Sequence, residues 1–282
     1  MFRKDASQKV HESRFGKTTR RRLRAGRENV GIDDRTPYRT GVHAQGGLGL
    51  DAIILGIDGT GVISKSDYKR EMATSFVRYI VNRTPARLKK YIQGPWYEGF
   101  DMGLIVDAGY TFINLSVAAQ PKCKIYLTGY SRGGAGVIGV AQRLSEKGVN
   151  VDGIVLFDAV DRSLAVNSSE IPRNVLRLVH ARRHPQANSR GTFGSSGTIW
   201  HAPTRTNQAF FWGTHGALGG VPNLAPQGAK STDLITEYLE PTPSNISYAQ
   251  DKRCATEVWA WASPHVNRLG FFGGKVDQTS NA

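Results

Sequence analysis

The sequence predicts an α/β fold with a mostly parallel central sheet and helices on both faces. Short apolar runs of strand length alternate with longer segments of helical period. The short runs are apolar at successive positions, as expected of strands that are covered on both faces. With 282 residues, 39% of them hydrophobic, the chain is also long enough to bury a sizeable core.

Nine segments carry the patterns of strands or helices. In chain order, the sequence predicts a strand at 52–57, helices at about 68–83 and 99–119, a strand at 124–128, a helix ending near 147, strands at 151–157, 174–179 and 208–212, and an amphipathic helix near 255–263.

Boundary signals justify the elements of the first half. The first strand ends in the tight turn Asp58-Gly59-Thr60-Gly61. Asp67 is a candidate N-cap for the next helix, in which several apolar residues share one face: Met72, Phe76, Tyr79 and Ile80. Pro121 prevents the second helix from continuing.

The elements of the second half follow the same logic. The strand at 124–128 leads into a glycine-rich turn, and the helix after it has an apolar face: Val137, Ile138, Ala141 and Leu144. Gly148 is placed to cap that helix at its C-terminus. The next strand ends at Asp158.

Residues 1–50 differ from the rest of the chain in charge and lack a clear period. They hold 12 Lys and Arg against 5 Asp and Glu, in a chain whose formal net charge is +14. We therefore expect a basic N-terminal arm or peripheral segment at 1–50 and a folded α/β domain at 51–282. The densest run, Arg20–Arg27, is either a solvated arm or an anchor for an anionic membrane surface. No aromatics are interleaved with it, so a nucleic-acid partner is not expected.

The sequence predicts no membrane span, signal peptide, disulfide, metal site or cofactor. No apolar run approaches the roughly 20 residues of a spanning helix, and no hydrophobic region follows the charged Arg3 and Lys4. Cys123 and Cys254 lack metal-ligand spacing. We expect a protein that is cytoplasmic as synthesised, with any export by a route without a cleaved signal.

The segment Gly129-x-Ser131-x-Gly133 has the pattern of a nucleophile elbow, and Gly134 follows it. A serine hydroxyl is a weak nucleophile, and a sharp strand-to-helix turn projects it toward a base. Glycine two residues to either side avoids clashes in that turn. The placement of the motif between a predicted strand and a predicted helix supports Ser131 as the nucleophile of an α/β-hydrolase-like fold. The alternatives are a plain glycine-rich turn or a phosphate-binding loop.

In this fold the catalytic residues follow the order serine, acid, histidine. Of the seven histidines, His215 follows a predicted strand and lies in the glycine-rich segment Gly213–Gly220. That position favours His215 as the general base.

The chain resembles the phospholipase-type α/β hydrolases of an uncharacterised-domain family that includes type VI secretion lipase effectors. The matching motifs occur in the family's order: Asp58-Gly59-Thr60, Gly129-Tyr130-Ser131-Arg132-Gly133-Gly134, Phe157-Asp158-Ala159-Val160, and Gly213-Thr214-His215 with Gly219-Gly220. They cover about residues 52–223. The resemblance supports His215 as base and implies a lipid or phospholipid ester as substrate and a role as an antibacterial effector, with an immunity or secretion protein as partner.

Two departures from the family pattern leave the catalytic acid open. Ala217 stands where the family has an acidic residue, and the stretch 179–184 lacks the family's Asp-Glu-Arg segment. Asp158, at the end of a strand, is the predicted acid, with Asp161 as the alternative. Either aspartate is alternatively a helix cap.

The oxyanion formed during ester cleavage needs backbone N–H donors. Arg132 opens the helix after Ser131, and Gly59 or Thr60 would lie at the same edge of a parallel sheet, so these three are the predicted donors. The segment starting at Asp58 is alternatively an ordinary turn.

These residues predict a serine hydrolase that cleaves carboxylic esters. A small-molecule esterase or thioesterase is the alternative enzyme. A non-catalytic module that keeps the hydrolase fold and anchors through Arg20–Arg27 is the alternative from another class.

Overall fold

The computed structural model describes residues 51–97, 99–161, 166–238 and 240–271. Within them the chain forms a six-stranded sheet with the order β2-β1-β3-β4-β5-β6. The strands are β1 (Ala52–Ile57), β2 (Leu88–Ile92), β3 (Lys124–Tyr130), β4 (Gly153–Phe157), β5 (Arg177–Arg183) and β6 (Arg205–Phe211). All neighbouring strands are parallel, so their carboxyl ends meet at one edge.

Helices cover both faces of this sheet, which confirms the predicted α/β class. They are α1 (Lys65–Glu71), α2 (Phe76–Arg83), α3 (Met102–Ala119), α4 (Arg132–Ser145), the short α5 (His215–Leu218) and α6 (Tyr248–Leu269). One core lies between the sheet and α1, α2 and α6, with Phe76 stacked on Trp259. A second core lies between the opposite face and α3 and α4. This topology brings the segments that follow β1, β3, β4 and β6 to the same carboxyl edge of the sheet.

The predicted helix at 68–83 is wrong as one element, because the chain breaks it into α1 and α2. Ser64, not Asp67, caps α1, and the Ser75 hydroxyl accepts a hydrogen bond from the Arg78 N–H and caps α2. The Phe76 N–H donates to the carbonyl of Gly219 instead of continuing the first helix. A tertiary contact therefore sets this boundary.

Strand β2 was missed, and β5 lies further along the chain than the predicted 174–179. Lys89 and Lys90 mask the apolar pattern of β2, which is one of the two edge strands of the described sheet, the other being β6. Charged side chains are typical of sheet edges. In β5, His180 and Arg183 are buried because they bond within the site below. The last helix is also longer than the predicted 255–263, and a capping box at Ser247 begins it.

Helix α3 is, among the described residues, the one helix long and apolar enough to cross a bilayer, with a mean hydropathy of 1.4 over 18 residues. Its inner side chains Ile105, Val106 and Ile113 pack in the second core, and 33% of the helix is buried. The predicted basic arm at 1–50, with Arg20–Arg27, lies outside the described residues.

Candidate active site

Ser131 occupies a strained turn between β3 and α4. Its φ is 55° and ψ is −132°, and only 4% of the residue is exposed. A φ in this range is uncommon for a non-glycine residue and is typical of a nucleophile elbow. The turn is held because the Ser131 N–H donates to the carbonyl of Phe157.

The two motif glycines are required by close backbone approach. A Cβ on Gly133 would lie 2.2 Å from the carbonyl oxygen of Ile57, and one on Gly129 would lie 2.6 Å from that of Gly133. Gly134 packs in the same way against Ala159. Any side chain at these positions would force the turn open and displace Ser131.

The structure brings Ser131, His215 and Asp158 together in one hydrogen-bonded chain. Nε2 of His215 lies 2.8 Å from the Ser131 hydroxyl, and Nδ1 lies 2.6 Å from Oδ2 of Asp158. All three side chains are buried. Nδ1 donates its hydrogen to the carboxylate, so Nε2 is the acceptor for the serine proton. The alternative acid, Asp161, instead accepts a hydrogen bond from Ser168.

Asp158 sits just beyond β4 in the left-handed region, with φ of 42°. Its Oδ2 also accepts a hydrogen bond from Nη1 of Arg183 at 2.6 Å, and Oδ1 accepts from the Arg183 N–H at 3.3 Å. Burial opposes ionisation, but the hydrogen bond from His215 and the charges of His215 and Arg183 outweigh it and lower the pKa of Asp158. The carboxylate therefore stays ionised beside the imidazole.

Arg183 is a member of the site that sequence reasoning missed. Its guanidinium is fixed by Asp158 and by the carbonyls of Arg190 and Gly194, at 3.1 and 2.9 Å. Arg183 lies in the stretch 179–184, where the chain departs from the family motif. A better signal is that an arginine near the carboxyl end of a buried strand needs a partner carboxylate.

The histidine is held by a second set of contacts that the sequence did not indicate. Asp251, fully buried on α6, accepts hydrogen bonds from the N–H groups of Thr214 and Asn223, both at 2.8 Å. The His215 N–H donates to the Ser189 hydroxyl at 2.8 Å. The rings of Tyr130 and Phe193 pack against the imidazole at centroid distances of 5.1 and 5.4 Å. The predicted glycine-rich loop is thus the short, fixed helix α5.

Of the three predicted oxyanion donors, Arg132 and Thr60 are the better candidates. Arg132 is the first residue of α4, and the backbone N–H groups in the first turn of a helix have no acceptor within that helix. The N–H of Gly59 donates to Oδ1 of Asp58 at 2.9 Å. Gly59 is therefore engaged by its neighbour and is a poorer candidate than Thr60.

Asp58 acts as a scaffold for this turn. Burial raises the pKa of Asp58, while hydrogen bonds from Ser75 and Tyr91 lower it. Burial and the charge of Asp58 raise the pKa of Tyr91, so its hydroxyl stays protonated and donates to Oδ2 of Asp58 at 2.8 Å. Tyr68 donates to the carbonyl of Gly59 at 2.6 Å. Among the described residues, no cluster of three or more His, Cys, Asp or Glu could hold a metal ion.

His180 supports the acid from β5, and this role gives a prediction for stability against pH. Its Nε2 accepts a hydrogen bond from the N–H of Ala159, next to Asp158. Burial and the nearby charge of Arg182 lower the pKa of His180 to about 4. In the unfolded chain this histidine has an ordinary pKa of about 6.5, so between pH 6.5 and 4 the unfolded state binds more protons than the folded state.

We therefore expect the free energy of unfolding to fall by up to about 3 kcal/mol as the pH decreases from 6.5 to 4. Urea titrations at several pH values would measure this. The variant His180→Gln, which has no titratable group there, should show a shallower dependence. An unchanged dependence in that variant would show that other groups cause the acid sensitivity.

Comparison with known proteins gives distant structural matches. No protein-family model matches the chain, and no curated protein sequence matches it significantly. An uncharacterized protein from Pseudomonas aeruginosa is similar over 96% of this chain and 52% of its own, at 12% identity and a TM-score of 0.43. Lipase B of Aspergillus fumigatus is similar over 61% of this chain and 49% of its own, at 11% identity and a TM-score of 0.36.

The NocB thioesterase domain, in a covalent complex with a fluorophosphonate nocardicin G analog, is similar over 60% of this chain and 90% of its own. The identity is 12% and the TM-score is 0.36. The chain spans about half the length of the first two structures that it matches.

Proposed function

We propose that this protein is a serine hydrolase that cleaves carboxylic esters through a Ser131–His215–Asp158 triad. The observation that carries the proposal is the continuous chain of hydrogen bonds from the Ser131 hydroxyl through His215 to Asp158. A buried serine on a strained elbow, a histidine at 2.8 Å and an ionised aspartate behind it suit acyl transfer.

In the proposed reaction, the Ser131 oxygen attacks the ester carbonyl carbon while Nε2 of His215 takes its proton. Asp158 stabilises the imidazolium, and the backbone N–H groups of Arg132 and Thr60 hold the oxyanion. The intermediate collapses, and Nε2 gives its proton to the departing alcohol. A water molecule, deprotonated by the same nitrogen, then attacks the acyl-serine and releases the carboxylic acid, while the proton returns to Ser131.

The substrate class that we propose is a lipid or phospholipid ester. The motif resemblance supports this choice, as does the exposure of apolar side chains next to the nucleophile helix: Tyr97, Phe100 and Leu104. By the same resemblance, we propose an effector role with an immunity or secretion protein as partner. The binding of anionic membranes by Arg20–Arg27 remains part of this proposal.

Two measurements separate this proposal from its alternatives. A fluorophosphonate probe should label the wild type and fail to label Ser131→Ala; a non-catalytic module would label in neither case. Turnover of phospholipid in vesicles should then exceed turnover of a soluble nitrophenyl ester at equal ester concentration. Labelling combined with turnover of the soluble ester alone would identify a small-molecule esterase or thioesterase instead.

A further inference from the structure

A basic cleft lies at the carboxyl end of the edge strand β2. Its volume is about 450 Å³, and it is lined by Lys65, Tyr68, Lys69, Arg78, Lys90, Tyr91, Ile92, Gln93 and Ala108. The lining thus contains four cations and no Asp or Glu. Like charges around a concavity focus a positive potential that attracts anions.

Within the part of the chain that the structure describes, no carboxylate pairs with the lysines of this cleft. Among the described residues, Lys65, Lys69 and Lys90 form no ion pair with a carboxylate, whereas nearby Arg70 pairs with Asp67. Arg78 donates to the carbonyl of Lys69 and lies close enough to influence the buried Asp58. Lys65 and Lys69, together with Lys90, whose Nζ lies 5.7 Å from the centre of the Phe112 ring, are therefore the cations of this cleft that can meet an external anion.

Exposed apolar side chains adjoin the cleft. Phe100 and Leu104, at the start of α3, are 86% and 72% exposed. Ala108 lies one helical turn after Leu104 on the same side of α3 and lines the cleft, so the apolar and basic parts are contiguous. We call these five residues, Phe100, Leu104, Lys65, Lys69 and Lys90, the docking face.

The docking face is connected to the catalytic residues on two sides. The Arg132 guanidinium, next to the nucleophile, donates to the carbonyl of Tyr97 at 2.8 Å and so holds the segment before Phe100. On the other side, the cleft residues Tyr68 and Tyr91 hydrogen-bond to Gly59 and Asp58 in the turn beside Ser131. A ligand on this face would therefore lie close to the two segments that flank Ser131, the turn at Asp58 and the start of α4.

We propose that the docking face binds the surface of an anionic lipid bilayer, with Phe100 and Leu104 inserted among the acyl chains and the lysines on lipid phosphates. Exposed apolar side chains beside unneutralised cations are the combination that interfacial binding requires. A soluble anion would use the lysines but gain nothing from the apolar pair. This inference rests on the proposed function, because it specifies how a lipid ester would reach Ser131.

The test uses full-length protein carrying Ser131→Ala, so that binding is measured without hydrolysis. In this background, Lys65→Gln, Lys69→Gln and Lys90→Gln together should weaken binding to phosphatidylglycerol-containing vesicles roughly a hundredfold, at about fivefold for each lysine. The matched control changes Lys122, Lys124 and Lys147 to Gln, at the opposite edge of the sheet. The control removes the same charge. Because salt screens charges that lie far from the bound surface, we expect it to have little effect on binding at physiological salt.

The apolar part of the docking face is tested with two leucine variants of α3, one inside the face and one outside it. Leu104→Ser should weaken vesicle binding about tenfold. Leu115 is also exposed, at 64%, and lies on nearly the same side of α3 but about 16 Å further along. Leu115→Ser should therefore bind like the parent. Melting temperatures of all variants check that the fold is kept.

Equal losses in both lysine triples, or in both leucine variants, would overturn the proposal. Vesicle binding that none of these substitutions changes would also overturn the proposal, because the binding site would then be another segment such as Arg20–Arg27. A parent protein that binds soluble glycerol phosphate but no vesicles would overturn it as well. Since the assay needs no turnover, an inactive wild type would reject the proposed hydrolase without changing these binding results.

Discussion

Replacing Ser131 with alanine should lower kcat by about 10⁶-fold on any ester that the wild type cleaves. The reason is that, in the proposed reaction, the Ser131 hydroxyl oxygen is the atom that forms the acyl bond, and it lies 2.8 Å from Nε2 of His215. The fold should survive, because alanine adopts the same strained φ at a similar energy and removes one hydrogen bond, worth roughly 1 kcal/mol. Steady-state kinetics together with thermal unfolding would measure both effects.

The control for this prediction is the double variant Ser131→Ala/His215→Ala. Residues that act as one unit are not additive, so the double variant should be about as inactive as Ser131→Ala alone. A Ser131→Ala enzyme that keeps turnover within tenfold of the wild type would show that the nucleophile is elsewhere. Losses that multiply in the double variant would show that the two residues act independently.

The parts of the site that were predictable depend on local backbone requirements. The elbow produces a recognisable sequence motif because Gly129 and Gly133 have no space for a side chain, and this motif identifies Ser131. Asp158 and His215 follow β4 and β6, and the carboxyl ends of parallel strands share one edge. Chain order and strand position were therefore enough to bring these residues close together.

The parts that were not predictable depend on tertiary contacts. Arg183 bonds to Asp158 across 25 residues, and Asp251 supports the histidine segment from a helix 37 residues beyond Thr214. Nothing in the local pattern of β5 or α6 assigns these partners. Strand β2, at one edge of the sheet, was also missed. Its sequence contains two lysines, and Lys90 lines a solvent-facing cleft instead of the core, so the strand lacks a continuous apolar run.

Replacing Asp158 with asparagine should lower kcat by about 10⁴-fold. Asparagine tolerates the φ of 42° and keeps the shape of the side chain, but its amide cannot stabilise an imidazolium or select the tautomer that leaves Nε2 free to accept. Kinetics on a soluble ester would measure this loss. Asp161→Asn is the matched control, and it should stay within about tenfold of the wild type, because Asp161 bonds to Ser168 instead of His215.

The same substitution should also destabilise the fold, and a double variant separates the two effects. Asp158→Asn leaves the Arg183 guanidinium, only 8% exposed, without its counter-charge, at a cost of about 3–5 kcal/mol. Adding Arg183→Met removes that buried charge and should recover much of the stability measured by urea unfolding, but none of the turnover. Recovery of turnover along with stability would mean that Asp158 serves only to neutralise Arg183, and His215 would then act without a carboxylate.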